Sequence, residues 1–153
     1  MSKTKKTTKK TTEEYIKEFF ENLSIETSFE LEETEEEIKL TLDTQDSGMI
    51  IGYHGETLDA LQLILSLVLA KKLGGFKRVS IEVGDYKKNR EEWLKKLASD
   101  AKEKAVSQNR EVILEELKPW ERRIIHLILA EDDEVVSESS GEGRERVLVV
   151  RPK

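Results

Sequence analysis

Two short stretches of the sequence carry residue types that could bind a charged ligand. The first is Gly52-Tyr53-His54-Gly55, in which two glycines flank a phenol and an imidazole. Glycines let a backbone turn sharply and approach a ligand closely. If a helix begins at Glu56, its free N–H groups can receive phosphate oxygens. Two glycines at this spacing also occur in ordinary turns, so the loop alone indicates either a phosphate clamp or a turn that binds nothing.

The second stretch is Arg122-Arg123-Ile124-Ile125-His126. Arg122 and His126 are four positions apart, so on a helix they share one face. Arginine offers phosphate a planar set of donors, and histidine can donate from either ring nitrogen. A polar surface pair beside an apolar core face would give the same spacing. Arg123 adds a third basic group next to this pair.

A basic cluster, Lys87, Lys88 and Arg90, lies at the start of another predicted helix. Cations at this end oppose the helix dipole. A phosphate contact would relieve that conflict. Pairing with Glu91 and Glu92 at i+4 spacing is the other interpretation, although Lys before Glu is the poorer orientation. The sequence leaves both open.

Composition limits the classes of function. The chain has 153 residues, a net charge of −6 and no cysteine, which excludes disulfides and thiolate metal sites. Residues 13–46 carry thirteen acidic and two basic side chains, whereas residues 86–110 carry eight basic and four acidic ones. The negative net charge gives the protein as a whole no attraction for nucleic acid. Any nucleic-acid site must therefore be a small basic region of the surface. No HExxH or nucleophile-elbow motif is present, so we expect no enzyme, metal or cofactor. Without a membrane span or signal peptide, we expect a cytoplasmic protein.

The periodicity of apolar residues predicts the elements that position these motifs. Helical spacing predicts helices over residues 13–23, 56–73, 86–107 and 119–130. Alternation predicts strands near residues 28–32, 38–42, 79–83, 112–114, 134–138 and 144–150. Thr12 is the expected N-cap of the first helix. We therefore predict an α+β protein whose first two strands form an antiparallel hairpin.

This order of elements around Gly52-Tyr53-His54-Gly55 resembles a KH domain of the prokaryotic topology, a three-stranded sheet packed by helices. Lys118-Pro119-Trp120-Glu121, the Arg122 to His126 segment and the Gly-rich hairpin after it resemble a small α/β Arg-x-x-x-His domain. Together they are similar to the Jag family, also called SpoIIIJ-associated. Residues 1–12 are rich in lysine and threonine and have no apolar residue after Met1, so we expect a disordered tail. The resemblance implies a KH domain over 13–85 and an Arg-x-x-x-His domain over 86–153 that includes its leading helix 86–107.

The family resemblance also implies a function. In KH domains the GxxG loop clamps about four nucleotides of a single strand, and an apolar groove that would include Ile50 and Ile51 holds bases. We expect a single-stranded RNA-binding adaptor (single-stranded DNA being a related ligand), a post-transcriptional regulator linked to cell elongation and division. Such loops often carry basic middle residues, whereas Tyr53 and His54 predict modest affinity.

The alternative hypothesis is a protein-interaction module that pairs with another KH protein. The apolar helix between Leu58 and Leu69 favours it. The partner would be a small stand-alone KH protein or a second copy of the chain. Both hypotheses are compatible.

Overall fold

The computed structural model describes residues 10–153. Of the tail predicted over residues 1–12, residues 1–9 therefore lie outside the described part. The chain divides into two compact units, Met1–Tyr86 and Lys87–Lys153. Within the described residues, no helix is long and apolar enough to cross a membrane.

The first unit consists of a three-stranded sheet and helices. Its elements are α1 (Thr12–Asn22), β1 (Ser28–Glu33), β2 (Glu37–Asp43), α2 (Ser47–Ile51), a 3-10 turn (Tyr53–Gly55), α3 (Glu56–Leu73) and β3 (Arg78–Val83). The strand order is β1-β2-β3, with β1 antiparallel and β3 parallel to β2. The parallel pairing requires a crossover, which α2 and α3 provide and which places the GxxG loop between them.

Alternation along the strands builds the core of this unit. Leu40 of β2 and its neighbour Ile81 of β3 are both fully buried. The helices contribute Phe20 of α1 and Leu65 of α3 to the same cluster. α3 also carries large apolar side chains that stay exposed: Leu63, Ile64 and Leu67.

The start of α1 differs from the expected one. Thr11, and not Thr12, is the N-cap, because its Oγ1 accepts a hydrogen bond from the Glu14 amide while the Glu14 carboxylate accepts one from the Thr11 amide. This reciprocal capping box satisfies two amides that would otherwise lack partners.

The second unit has its own sheet and core. Its elements are α4 (Tyr86–Gln108), β4 (Val112–Leu114), α5 (Pro119–Leu129), β5 (Val135–Ser140), a 3-10 turn (Gly143–Glu145) and β6 (Val147–Pro152). The sheet order is β4-β6-β5, antiparallel throughout. The strand expected from residue 144 starts later, at Val147, because Gly143–Glu145 form the 3-10 turn.

The core of the second unit lies between α4, α5 and the sheet. Ala98, Ala101 and Ala105 are buried along α4, and their small side chains allow close packing. Ile125 of α5 and Leu148 of β6 are fully buried in the same cluster. The predicted α+β class, with one small sheet in each half, is confirmed.

Candidate nucleic-acid interface

The GxxG loop has a backbone conformation that its glycines make possible. Gly52 has φ 68° and ψ −169°, a region that is essentially restricted to glycine. A Cβ atom on Gly52 would also collide with the side chain of Thr57. Gly55 has φ 77°, and a Cβ atom there would lie 2.6 Å from the hydroxyl of Tyr86. Both glycines are therefore required for the shape of the turn.

The two side chains between the glycines differ in exposure. Tyr53 is 64% exposed, whereas His54 is half-buried with its ring edge-to-face against Tyr53, at a centroid distance of 4.0 Å. His54 has φ 49° and ψ 28°, a left-handed conformation that is uncommon outside glycine. The loop thus presents an aromatic ring outward and keeps the imidazole closer to the backbone.

The helix that follows the loop begins without a side-chain cap. Gly55 is the N-cap of α3, and no side chain there bonds to the first-turn amides. Those amides point toward the loop, as in many anion sites. Glu56 and Asp59 lie in the same first turn and lower the positive potential of this helix end. The geometry favours an anion, and the charge limits how strongly it is held.

The structure corrects one apolar contact expected beside the loop. Ile50 is only 1% exposed and belongs to the core, so it has no surface to offer a base. Ile51 is half-buried and packs against that core. The sequence could not separate them, because adjacent apolar residues in a five-residue helix show no clear periodicity.

Arg122 is also placed differently from the expectation. It is 8% exposed, and its Nη1 donates hydrogen bonds to the carbonyl oxygens of Leu117, at 2.5 Å, and Arg146, at 3.3 Å. It therefore ties the start of α5 to two backbone segments. These hydrogen bonds give Arg122 a structural role, and the expected phosphate contact of its side chain stays a prediction.

The other basic residues of the motif lie at the surface. Arg123 and His126 are both exposed on α5. His126 Nδ1 lies 2.8 Å from Ser137 Oγ on β5, which orients the imidazole. This hydrogen bond is local and leaves the ring edge at the surface. The exposed pair is therefore Arg123 and His126.

The basic cluster at the start of α4 divides into two groups. Lys87 and Lys88 are exposed, as the phosphate hypothesis requires. Arg90 is 9% exposed, and its Nε donates to Glu121 Oε1 at 2.7 Å. Arg90 therefore pairs with a carboxylate on α5 and not with the neighbouring glutamates.

Glu121 is the residue that sequence reasoning missed. It is fully buried, and its second oxygen accepts a hydrogen bond from the amide of Lys118 at 2.9 Å. A glutamate at the third helical position, after Pro119, is a capping signal and could have been recognised as such. Its ion pair with Arg90, thirty-one positions away in the sequence, could not have been recognised from the sequence.

The described residues contain no cluster of three or more metal-ligating side chains among His, Cys, Asp and Glu. At the GxxG turn the groups that could meet an anion are backbone amides, and on α5 they are Arg123 and His126. What the arrangement can do is bind anions and aromatic surfaces reversibly.

Comparison with known proteins matches both halves of the chain. Residues 9–83 match the family described as KhpA/KhpB, KH domain, and residues 92–152 match the R-three-H domain, in which the Arg-x-x-x-His motif lies. The RNA-binding protein KhpB of Clostridium symbiosum is 39% identical over 132 residues, which cover 86% of this chain and 60% of that protein.

Two further relatives carry the same name. The RNA-binding protein KhpB of Streptococcus pneumoniae strain D39 is 32% identical, with 85% of this chain and 40% of that protein covered. The protein of that name from Bacillus subtilis is 28% identical, with 80% and 60% covered. The chain thus spans 40% to 60% of the length of these relatives. This is not a family of enzymes. The suspected resemblance is confirmed, and the chain belongs to the Jag family, in which a KhpA/KhpB-type KH domain precedes an R-three-H domain.

Proposed function

We propose that this protein binds single-stranded RNA in the cytoplasm and does so without chemical catalysis. The observation that carries the proposal is the GxxG turn, in which both glycines are required and an uncapped helix follows directly. Relatives named RNA-binding proteins support the same function. Single-stranded DNA shares the backbone chemistry and is expected to bind more weakly where 2′-hydroxyl contacts contribute.

In the first unit, Gly52 to Gly55 hold the backbone of the strand. Phosphate oxygens accept hydrogen bonds from amides at the start of α3, and the exposed Tyr53 ring stacks on a base or donates to a phosphate. Half-buried Ile51 contributes apolar surface next to the turn. Because no lysine or arginine lies in the loop, this contact is of modest strength.

In the second unit, the exposed Arg123 and His126 supply donors for a second contact. Arg122 supports this contact indirectly, by fixing the backbone at the start of α5. Lys87 and Lys88 add exposed positive charge at the start of α4. These groups form a second proposed contact, in addition to the nucleotides that the KH groove holds.

Crosslinking tests this assignment directly. Ultraviolet crosslinking of RNA to the protein in cells, followed by mapping of the modified peptides, should place crosslinks on the peptide with Tyr53 and on the peptide with Arg123 and His126. Crosslinks confined to other peptides would move the site elsewhere. The crosslinked RNAs would also identify targets, and hence test the finer proposal of a regulator linked to cell elongation and division.

A second candidate function rests on the exposed apolar face of α3. Leu63, Ile64 and Leu67 are between 49% and 61% exposed, although they lie at the centre of a helix whose other face is buried in the core. Such a patch is typical of a contact surface. We propose a small stand-alone KH protein or a second copy of the chain as its partner. Leu67→Asp should abolish the complex in sedimentation experiments and leave the RNA affinity of the monomer unchanged.

A further inference from the structure

We propose that Trp93, which lies outside both sequence motifs, is a stacking platform for one base of a single-stranded nucleic acid. The inference rests on the proposed function and names a new contact within it. It starts from an unusual exposure: Trp93 is 42% exposed on α4. The buried face of that helix is narrow and consists of Arg90, Leu94 and three alanines. Trp93 lies beside this face and not within it.

A buried cation holds one side of the Trp93 ring. The guanidinium carbon of Arg90 lies 4.1 Å from the ring centroid, within the range of a cation–π contact. Arg90 is itself held in place, because it is 9% exposed and its Nε donates to the buried carboxylate of Glu121. The ring therefore has a rigid support where Arg90 contacts it, while 42% of the residue stays exposed.

A supported aromatic ring is suited to stacking. Stacking on a mobile side chain requires that side chain to become ordered, and that loss of rotamer entropy weakens binding. The ion pair between Arg90 and Glu121 removes much of this entropy loss in advance. Every nucleobase has a face that can stack, so such a platform binds single strands with little preference for sequence.

The charges around Trp93 fit a nucleic acid. On a helix, the surface neighbours of a residue lie three and four positions away. For Trp93 these are Asn89, Arg90, Lys96 and Leu97; Arg90 is already paired with Glu121, so Lys96 is the neighbouring cation that a phosphate can meet. Lys96 is exposed. In a chain with a net charge of −6, this local balance favours a ligand in which each stacked base is followed by a phosphate.

Intrinsic fluorescence tests the stacking contact without altering the platform. Trp93 and Trp120 are the two tryptophans of the chain, so Trp120→Phe leaves Trp93 as the sole indole emitter. Addition of single-stranded oligo(A) should quench this emission. Inorganic polyphosphate of similar charge, which has no bases, should leave it unchanged. Equal quenching by both polymers would overturn the proposal, because the change would then follow charge and not stacking.

Binding of fluorescein-labelled oligo(A), followed by anisotropy, provides the second measurement. Trp93→Ala should weaken binding about 5- to 100-fold, the range expected for loss of one stacked base. Trp93→Phe should retain most of the affinity. The matched control is Phe76→Ala, which removes an aromatic ring that is 70% exposed in the turn before β3 and should change nothing.

The outcomes separate this inference from the function on which it rests. Suppose that the wild-type protein binds oligo(A), that Trp93 emission does not change on binding, and that Trp93→Ala binds with the same affinity. That result would overturn the stacking platform and leave RNA binding in place. Wild-type protein that binds no single-stranded RNA would overturn the proposed function as well. If Trp93→Ala lowers the melting temperature, its loss of affinity is not used. The fluorescence measurement on Trp120→Phe then decides the proposal, because Trp93 is intact in that variant.

Discussion

Adjacent arginines on α5 have opposite environments. Arg122 is 8% exposed and bonded to two carbonyl oxygens, whereas Arg123 is exposed. One residue along a helix corresponds to a rotation of about 100°. That rotation is enough to carry a side chain from the interior to the surface. The motif therefore combines a residue that builds the fold with residues that are exposed and that we propose as ligand contacts.

This difference predicts opposite effects of two alanine substitutions. Arg122→Ala should lower the free energy of unfolding by about 1.5–3 kcal/mol, because it removes charge-assisted hydrogen bonds to buried carbonyls. Arg123→Ala should leave the free energy of unfolding within about 0.5 kcal/mol of the wild type and weaken RNA binding. Urea unfolding and RNA titration of both variants check this. A stable Arg122→Ala protein that has lost RNA binding would make Arg122 a direct contact.

Among the connections between elements, the turn between α2 and α3 depends on glycine. Gly52 has a φ and ψ combination that other residues rarely adopt, and Thr57 occupies the space that its Cβ would need. Gly75, after α3, does not have a positive φ, and no atom lies within 4 Å of the place that a Cβ on it would take. The two glycines therefore differ in how strongly the fold requires them.

Gly52→Ala should destabilise the protein by about 1–3 kcal/mol, the typical cost of holding such a backbone conformation without glycine. Gly75→Ala is the control and should be neutral or slightly stabilising, since it restricts the unfolded chain. Thermal or chemical unfolding measures both. Equal stability of the two variants would mean that the loop relaxes readily. The claim that the turn is rigid, on which the proposed clamp depends, would then be wrong.

The elements were largely predictable from sequence, and the roles of individual side chains were not. Alternation from Ile38 to Leu42 predicted β2, and Pro119 predicted the start of α5. Trp93 is 42% exposed on α4 whereas its neighbour Leu94 is fully buried, a difference that two adjacent apolar residues do not reveal in the sequence. The burial of Glu121 depends on Arg90, and periodicity carries no information on such distant pairs.

At the scale of the whole molecule, charge is unevenly distributed. The net charge is −6, and most of the acidic excess falls within residues 13–46. Basic side chains are concentrated in residues 1–12, which hold five lysines, on α4 and near the start of α5. Long-range attraction between the protein and RNA is therefore weak. Affinity must come from a small number of local phosphate contacts together with stacking.

This balance predicts a shallow dependence of RNA affinity on salt. If about 3–5 phosphates are contacted, the logarithm of the affinity should fall against the logarithm of the salt concentration with a slope of about −2 to −3.5. Binding isotherms at several potassium chloride concentrations give this slope. A slope near zero would contradict phosphate recognition, and a much steeper one would require a larger basic surface than the described residues provide.

The most direct test of the central claim places negative charge on the GxxG loop. Tyr53→Asp combined with His54→Asp should weaken binding of a fluorescein-labelled single-stranded RNA at least about tenfold, because carboxylates there repel phosphates within a few ångströms of the clamp. Tyr53→Asp alone, at a side chain that is 64% exposed, should show part of the loss with an unchanged melting temperature.

The control is Gln108→Asp combined with Asn109→Asp, which adds the same charge at exposed positions at the end of α4. Our account predicts that this control binds RNA like the wild type while the loop variant does not. If the loop variant keeps both its melting temperature and its RNA affinity, the strand is held elsewhere and the proposed function of the GxxG turn is wrong.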